Sequence, residues 1–184
     1  ISLTLTDDVY KEAYIFFLIN KYARAVPPDG AHRLIVEGHK AGDLNFQNEV
    51  ISGKSMDGDD ISAAAIADVL ARKSNVWQTR IKDFNETGAG KVSVRALTLM
   101  LKPLFLQVKT SLKETGSRID PEQKTFDIIE GYWNGLESIF EKTIFDPLTS
   151  KEYGMMKSSQ SEVMFKVLTH IFKVHIKEWQ LKYN

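Results

Sequence analysis

The chain contains no cysteine, which excludes disulfides, thiolate zinc sites and cysteine nucleophiles. No apolar run reaches the ~18 residues that a membrane-crossing helix needs, and no signal-peptide pattern is visible. A cytoplasmic protein without a membrane partner is therefore expected. Net charge is also missing: 24 Lys and Arg balance 24 Asp and Glu, and the pI is about 7.1. Whole-molecule attraction to nucleic acid or to a membrane does not follow from that balance. Neither H-E-x-x-H nor a G-x-S-x-G elbow occurs, and Gly88-Ala89-Gly90-Lys91 lacks the G-x-x-x-x-G-K-[ST] spacing of a phosphate loop.

The four histidines do not form a metal pair. His32 and His39 share a helical face but stand about 10 Å apart along the axis, and His170 and His175 diverge by about 140°. Asp57-Gly58-Asp59-Asp60 has part of a calcium-loop composition without the alternating carboxylates or the distal Glu. It reads instead as an irregular loop over 43–60 that caps the following helix. No metal, cofactor or catalytic residue is assigned, and the chain is not expected to be an enzyme.

What is present is enough apolar matter for a sizeable core. The 184 residues are 43% hydrophobic and include three Trp, six Tyr and ten Phe. They are expected to form a single, mainly α, bundle-like domain of about six helices. Ile1–Leu5 alternates apolar and polar residues, a strand signal. Thr6-Asp7-Asp8 then offers capping chemistry for a helix over Val9–Asn20. Pro27-Pro28 separates it from a second helix running to about Ala41. A third helix is expected over Ile61–Ser74. A fourth carries Val94, Leu97, Leu101, Leu104, Phe105, Val108 and Leu112, with a kink or break at Pro103. Asp120-Pro121-Glu122 starts a fifth, with Phe126, Ile129, Trp133, Leu136 and Phe140 as its apolar face. Gly131 and Gly135 on that helix suggest the close approach of another helix. The sixth is expected to open at Ser161 and to carry Val163, Val167, Ile171 and Val174.

Charge is unevenly distributed. Residues 61–118 hold ten basic and four acidic side chains, whereas 1–60 hold six and ten, and 119–184 hold eight and ten. The basic run Arg72, Lys73, Arg80, Lys82, Lys91 and Arg95, interleaved with Trp77 and Phe84, is the candidate nucleic-acid footprint, although no helix-turn-helix or RNA-binding signature accompanies it. Chance clustering on a solvated surface is the competing reading.

Val9–Arg33 resembles a segment of the DGQHR-domain family of the ParB-like superfamily, which includes DndB-like DNA-modification proteins. In one register Asp29-Gly30-Ala31-His32-Arg33 matches the family motif, with Ala31 in place of Gln. In the other, Glu12-Ala13, Phe16 or Phe17, Ile19-Asn20, Lys21, Arg24 and Val26 match a helix and basic stop that follow the motif in the family. Ser74–Ile81 and Val92-Ser93 continue the second match, which covers roughly residues 1–105 and, more loosely, the helix bearing Trp133. This register is preferred because a strand precedes the family motif, whereas Val26-Pro27-Pro28 and a helix surround the segment here.

The second register implies that the chain is the helical C-terminal part of a longer protein, with residues 1–6 the last strand of a ParB-like core and 7–184 helical. It also implies that Asn20, Arg24 and Arg33 anchor the junction between strand core and helices. The expected function is non-catalytic DNA binding or regulation in bacterial DNA modification or phage defence. Its expected partners are DNA, the upstream domain of the same chain and, in an oligomer, a second copy. The alternative is a structural, partner-docking helical module without nucleic-acid contact. A third reading makes Asp29–Arg33 a degenerate nucleotide or phosphate site of an enzyme.

Overall fold

The computed structural model describes residues 58–78, 80–82, 92–140 and 158–182. The expected strand at Ile1–Leu5 and the first two expected helices lie outside these residues. So do Asn20, Arg24, Arg33, Phe84, Lys91 and the Asp29–Arg33 segment. The chain divides into two compact units, Ile1–Ile61 and Ser62–Asn184, and the packing described below is that of the second.

The described residues are mainly helical and hold four helices; the count of six expected for the chain is not supported beyond these. The four are α1 (Gly58–Lys73), α2 (Val94–Glu114), α3 (Pro121–Ile139) and α4 (Ser158–Lys182). Between α1 and α2 lie two short strands, β1 (Ile81–Lys82) and β2 (Val92–Ser93), paired in parallel with Ile81 opposite Val92 and Lys82 opposite Ser93. No strand was expected there. Two residues per strand are too few for the period-two pattern by which a strand is read.

Helix α2 is the centre of the packing and contacts both α3 and α4. Its Leu97, Leu101, Leu104, Phe105 and Val108 are buried, as the 3.6-residue periodicity requires. They meet Ala63, Ile66, Ala67 and Leu70 of α1, Ile128, Ile129 and Trp133 of α3, and Phe165, Leu168 and Phe172 of α4 in one core cluster. Trp77, from the turn after α1, stands edge-on to Trp133 at 4.9 Å between ring centroids. Phe165 lies 5.8 Å from Trp77 and 5.7 Å from Trp133. Such pairs add about 0.5–1.5 kcal/mol beyond the area they bury.

The helix ends follow local chemistry. The Ser93 hydroxyl accepts from the Ala96 amide at 3.2 Å and caps α2. At the other end, Gly116 adopts φ +65°, and its amide donates to Lys113 O at 3.2 Å while that of Ser117 donates to Leu112 O at 3.0 Å. This is the Schellman pattern, which needs the left-handed conformation a glycine adopts without a Cβ clash. Asp120 caps α3 as expected, accepting from the amides of Glu122 and Gln123 at 3.2 Å each, with Pro121 in the first turn.

Four local expectations are corrected. Gly58, Asp59 and Asp60 belong to the first turn of α1 rather than to a loop, so the two acids complement the positive end of the helix dipole. No break occurs at Pro103, through which α2 runs continuously. The proline lies on an exposed face, one turn after Leu99, which is also exposed, so the carbonyl it leaves without a donor can be solvated. Among the described residues Gly131 and Gly135 receive no neighbouring helix, since a Cβ at either would meet nothing within 4 Å. They sit on the side of α3 opposite Ile129 and Trp133. Finally, α4 begins at Ser158, and Ser161 is buried within it.

Candidate functional site

The described members of the basic run, Arg72, Lys73, Arg80, Lys82 and Arg95, do not share one environment. Arg72, exposed at the end of α1, is paired with Asp68 one turn earlier. Arg80 is turned inward: one guanidinium nitrogen donates to Val76 O, and the other lies 3.4 Å from Glu137 Oε1 of α3. Only 15% of its side chain is exposed. Trp77 is fully buried and cannot offer its face to a base. Lys73 and Arg95 are exposed and Lys82 is half-buried. Strand register brings Lys82 opposite Ser93, two residues before Arg95, so these two cations share the N-terminal end of α2.

What draws Arg80 inward is a polar junction that the sequence reading missed. Ser74, fully buried, follows α1 and accepts from the amides of Val76 at 3.2 Å and Trp77 at 2.8 Å. Its own hydroxyl donates to Glu130 Oε1, and the Asn75 amide points to Glu130 Oε2 at 3.4 Å. Glu130 and Glu137 are two helical turns apart and therefore face the same way. Together they tie Ser74, Asn75 and Arg80 to α3, on either side of the Trp77 that packs against Trp133. The i, i+7 spacing of the two acids was readable, but their partners could only be named once the turn after α1 was placed.

A cleft of about 210 Å³ lies between α1 and the start of α3. Ala65, Ile66, Val69 and Phe126 form an apolar floor, with Asp120, Glu122 and Gln123 at the rim. The Asp120 carboxylate is already used in capping. Among the described residues no group of three or more His, Cys, Asp or Glu could hold a metal ion. His170 is exposed, and His175 Nδ1 lies 3.1 Å from Glu178 Oε2 within α4.

The most unusual surface is on α4. Its buried side chains are Ser161, Phe165, Leu168 and Phe172. The apolar residues by which the sequence marks this helix are half-exposed: Val163 at 56%, Val167 at 41%, Ile171 at 37% and Val174 at 58%. At ~100° per residue these four fall within about 80° of one another and run about 16 Å along the helix. The stripe lies about 140° around the axis from Phe165, Leu168 and Phe172. Helix α4 thus has two apolar faces, and only one meets the core.

Among the described residues no helix is long and apolar enough to cross a membrane, so the outer stripe does not belong to a bilayer-spanning segment. No family model, no curated protein and no solved structure matches this chain.

Proposed function

We propose that this chain is the non-catalytic helical part of a DGQHR/ParB-like protein of bacterial DNA modification or phage defence, and that it works by docking on another polypeptide through the outer face of α4. The observation that carries the docking role is the stripe Val163, Val167, Ile171 and Val174, four β-branched side chains left in water beside a well-packed core. Contiguous apolar surface of this kind marks interaction sites. The family setting rests on the resemblance.

A second reading, direct DNA contact in the same setting, is favoured by one observation. Lys73, Lys82 and Arg95 have no acidic partner among the described residues. Three cations make a small footprint beside the six that the sequence offered.

One experiment separates the readings. Val167→Glu with Val174→Glu should leave the melting temperature unchanged or slightly raised, because substitutions on a solvated helix face act within about 0.5 kcal/mol and Glu is the better helix former. Wild-type chain titrated into a labelled duplex at two salt concentrations should show no salt-dependent binding. Steeply salt-dependent binding, lost in Lys73→Glu with Arg95→Glu, would replace docking with DNA contact. A strong loss of stability in the valine variant would mean that the stripe is covered within the chain, and docking through it would fail.

A further inference from the structure

Resting on that docking reading, we infer that the occupant of the α4 stripe is a second copy of this chain, paired helix to helix, in parallel and in register. The argument begins with spacing. Val163, Val167, His170 and Val174 recur at intervals of four, three and four, the seam of a two-stranded coiled coil. With Val167 and Val174 at the first core position of each heptad, the buried residues Ser161, Phe165, Leu168 and Phe172 all fall on the opposite side. The seam and the core contact of α4 therefore do not compete. β-Branched residues at that first position favour two strands over three or four.

Charge then selects the direction. Lys166 and Lys173 flank one edge of the stripe, and Ile171 and Glu178 flank the other. In a parallel pair each lysine edge meets the partner's opposite edge, and Lys173 reaches Glu178 of the second copy at the five-residue offset of a flanking ion pair. In an antiparallel pair Lys166 and Lys173 of one helix face the same lysines of the other. Lys166 is engaged with Glu162 at 2.7 Å within its own helix. Lys173 has no ion-pair partner among the described residues. Among the described residues Glu178 holds only an exposed contact to His175 at 3.1 Å. The parallel pair gives Lys173 a partner twice over, by symmetry.

The test uses the 184-residue chain. Its weight-average mass by sedimentation equilibrium should rise from 20.9 kDa toward twice that value with concentration. Lys173→Glu should weaken association about tenfold, since two attractions become two repulsions, and Lys173→Glu with Glu178→Lys should recover it. The chain has no cysteine, so Val163→Cys is a clean reporter of direction. It should oxidise to a covalent dimer faster than Leu99→Cys, an exposed control on α2. A mass of 20.9 kDa at every concentration, with the Val167→Glu, Val174→Glu variant still fully stable, would overturn self-pairing while leaving docking on a different protein in place. A dimer that survives that valine variant, or that leaves Val163→Cys no faster than the control, would place the contact elsewhere or in the antiparallel sense and overturn the proposal.

Discussion

The Ser74–Glu130 junction yields the sharpest stability prediction. Ser74→Ala removes an oxygen that accepts from two amides, a cap-like loss of about 1–2 kcal/mol. It also removes the hydroxyl that donates to a carboxylate, a bond of about 1.5–3 kcal/mol. Because part of each contribution returns through water, we expect a total of about 2–4 kcal/mol. Glu130→Ala leaves the buried hydroxyl without its acceptor and should cost about 1.5–2.5 kcal/mol. The double variant should cost little more than Ser74→Ala alone. Once Ser74 is gone, Glu130 keeps, among the described residues, only its exposed 3.4 Å approach to the Asn75 amide. The cycle should therefore close with a coupling of about 1–2 kcal/mol. Urea unfolding followed by tryptophan fluorescence measures it directly, since Trp77 and Trp133 sit beside the junction. In thermal melts each kcal/mol should read as about 4 °C for a unit of this size. Additive single costs, with a coupling below about 0.3 kcal/mol, would show that Glu130 does not stabilise the turn through Ser74.

The remaining predictions are briefer. Gly131→Ala and Gly135→Ala should each stabilise α3 by about 0.5–1 kcal/mol, because the added Cβ meets open space in a helix interior; a loss in either would mean that another element packs on that face. Burial pushes the Tyr132 hydroxyl above the ordinary tyrosine value. The fold thus favours the neutral phenol, and the stability this contributes is complete below the unfolded-state value near 10 and declines as pH rises through the folded one. Tyr132→Phe should remove that part of the alkaline decline in chemical-denaturation curves taken at stepped pH, and an unchanged decline would refute the assignment.

The elements with long, one-sided patterns were legible in the sequence. Helix α2 shows its buried face at Leu97, Leu101, Leu104, Phe105 and Val108 because five large residues recur on a single stripe. The start of α3 is written in Asp120-Pro121, where side-chain acceptor and fixed φ act within one turn. The β1–β2 pair was not legible, because its hydrogen bonding, such as the Val92 amide to Arg80 O at 3.1 Å, joins residues with no pattern of their own. The same limit governed the basic run. Counting cations between 61 and 118 cannot show that one points at a backbone carbonyl and a glutamate on α3, since those acceptors are more than fifty positions away or hidden in a turn.

Helix α4 presents a different difficulty. Two apolar stripes are present, Val163-Val167-Ile171-Val174 and Phe165-Leu168-Phe172, and each has helical spacing. Periodicity alone gives them equal claim to the core. Size decides between them. The side facing α2 must fill the space beside Trp77 and Trp133, and two phenyl rings and a leucine fill it where valines would leave voids costing about 1 kcal/mol per missing methyl-sized volume. The aromatic stripe therefore goes inward, and the β-branched stripe is left outside. A helix that served only as a lid over this core would need no second apolar face, and polar residues there would cost the fold little. On the docking proposed above, exchanging Val167 and Val174 for glutamate should spare stability and abolish association, because these side chains fill no part of the core.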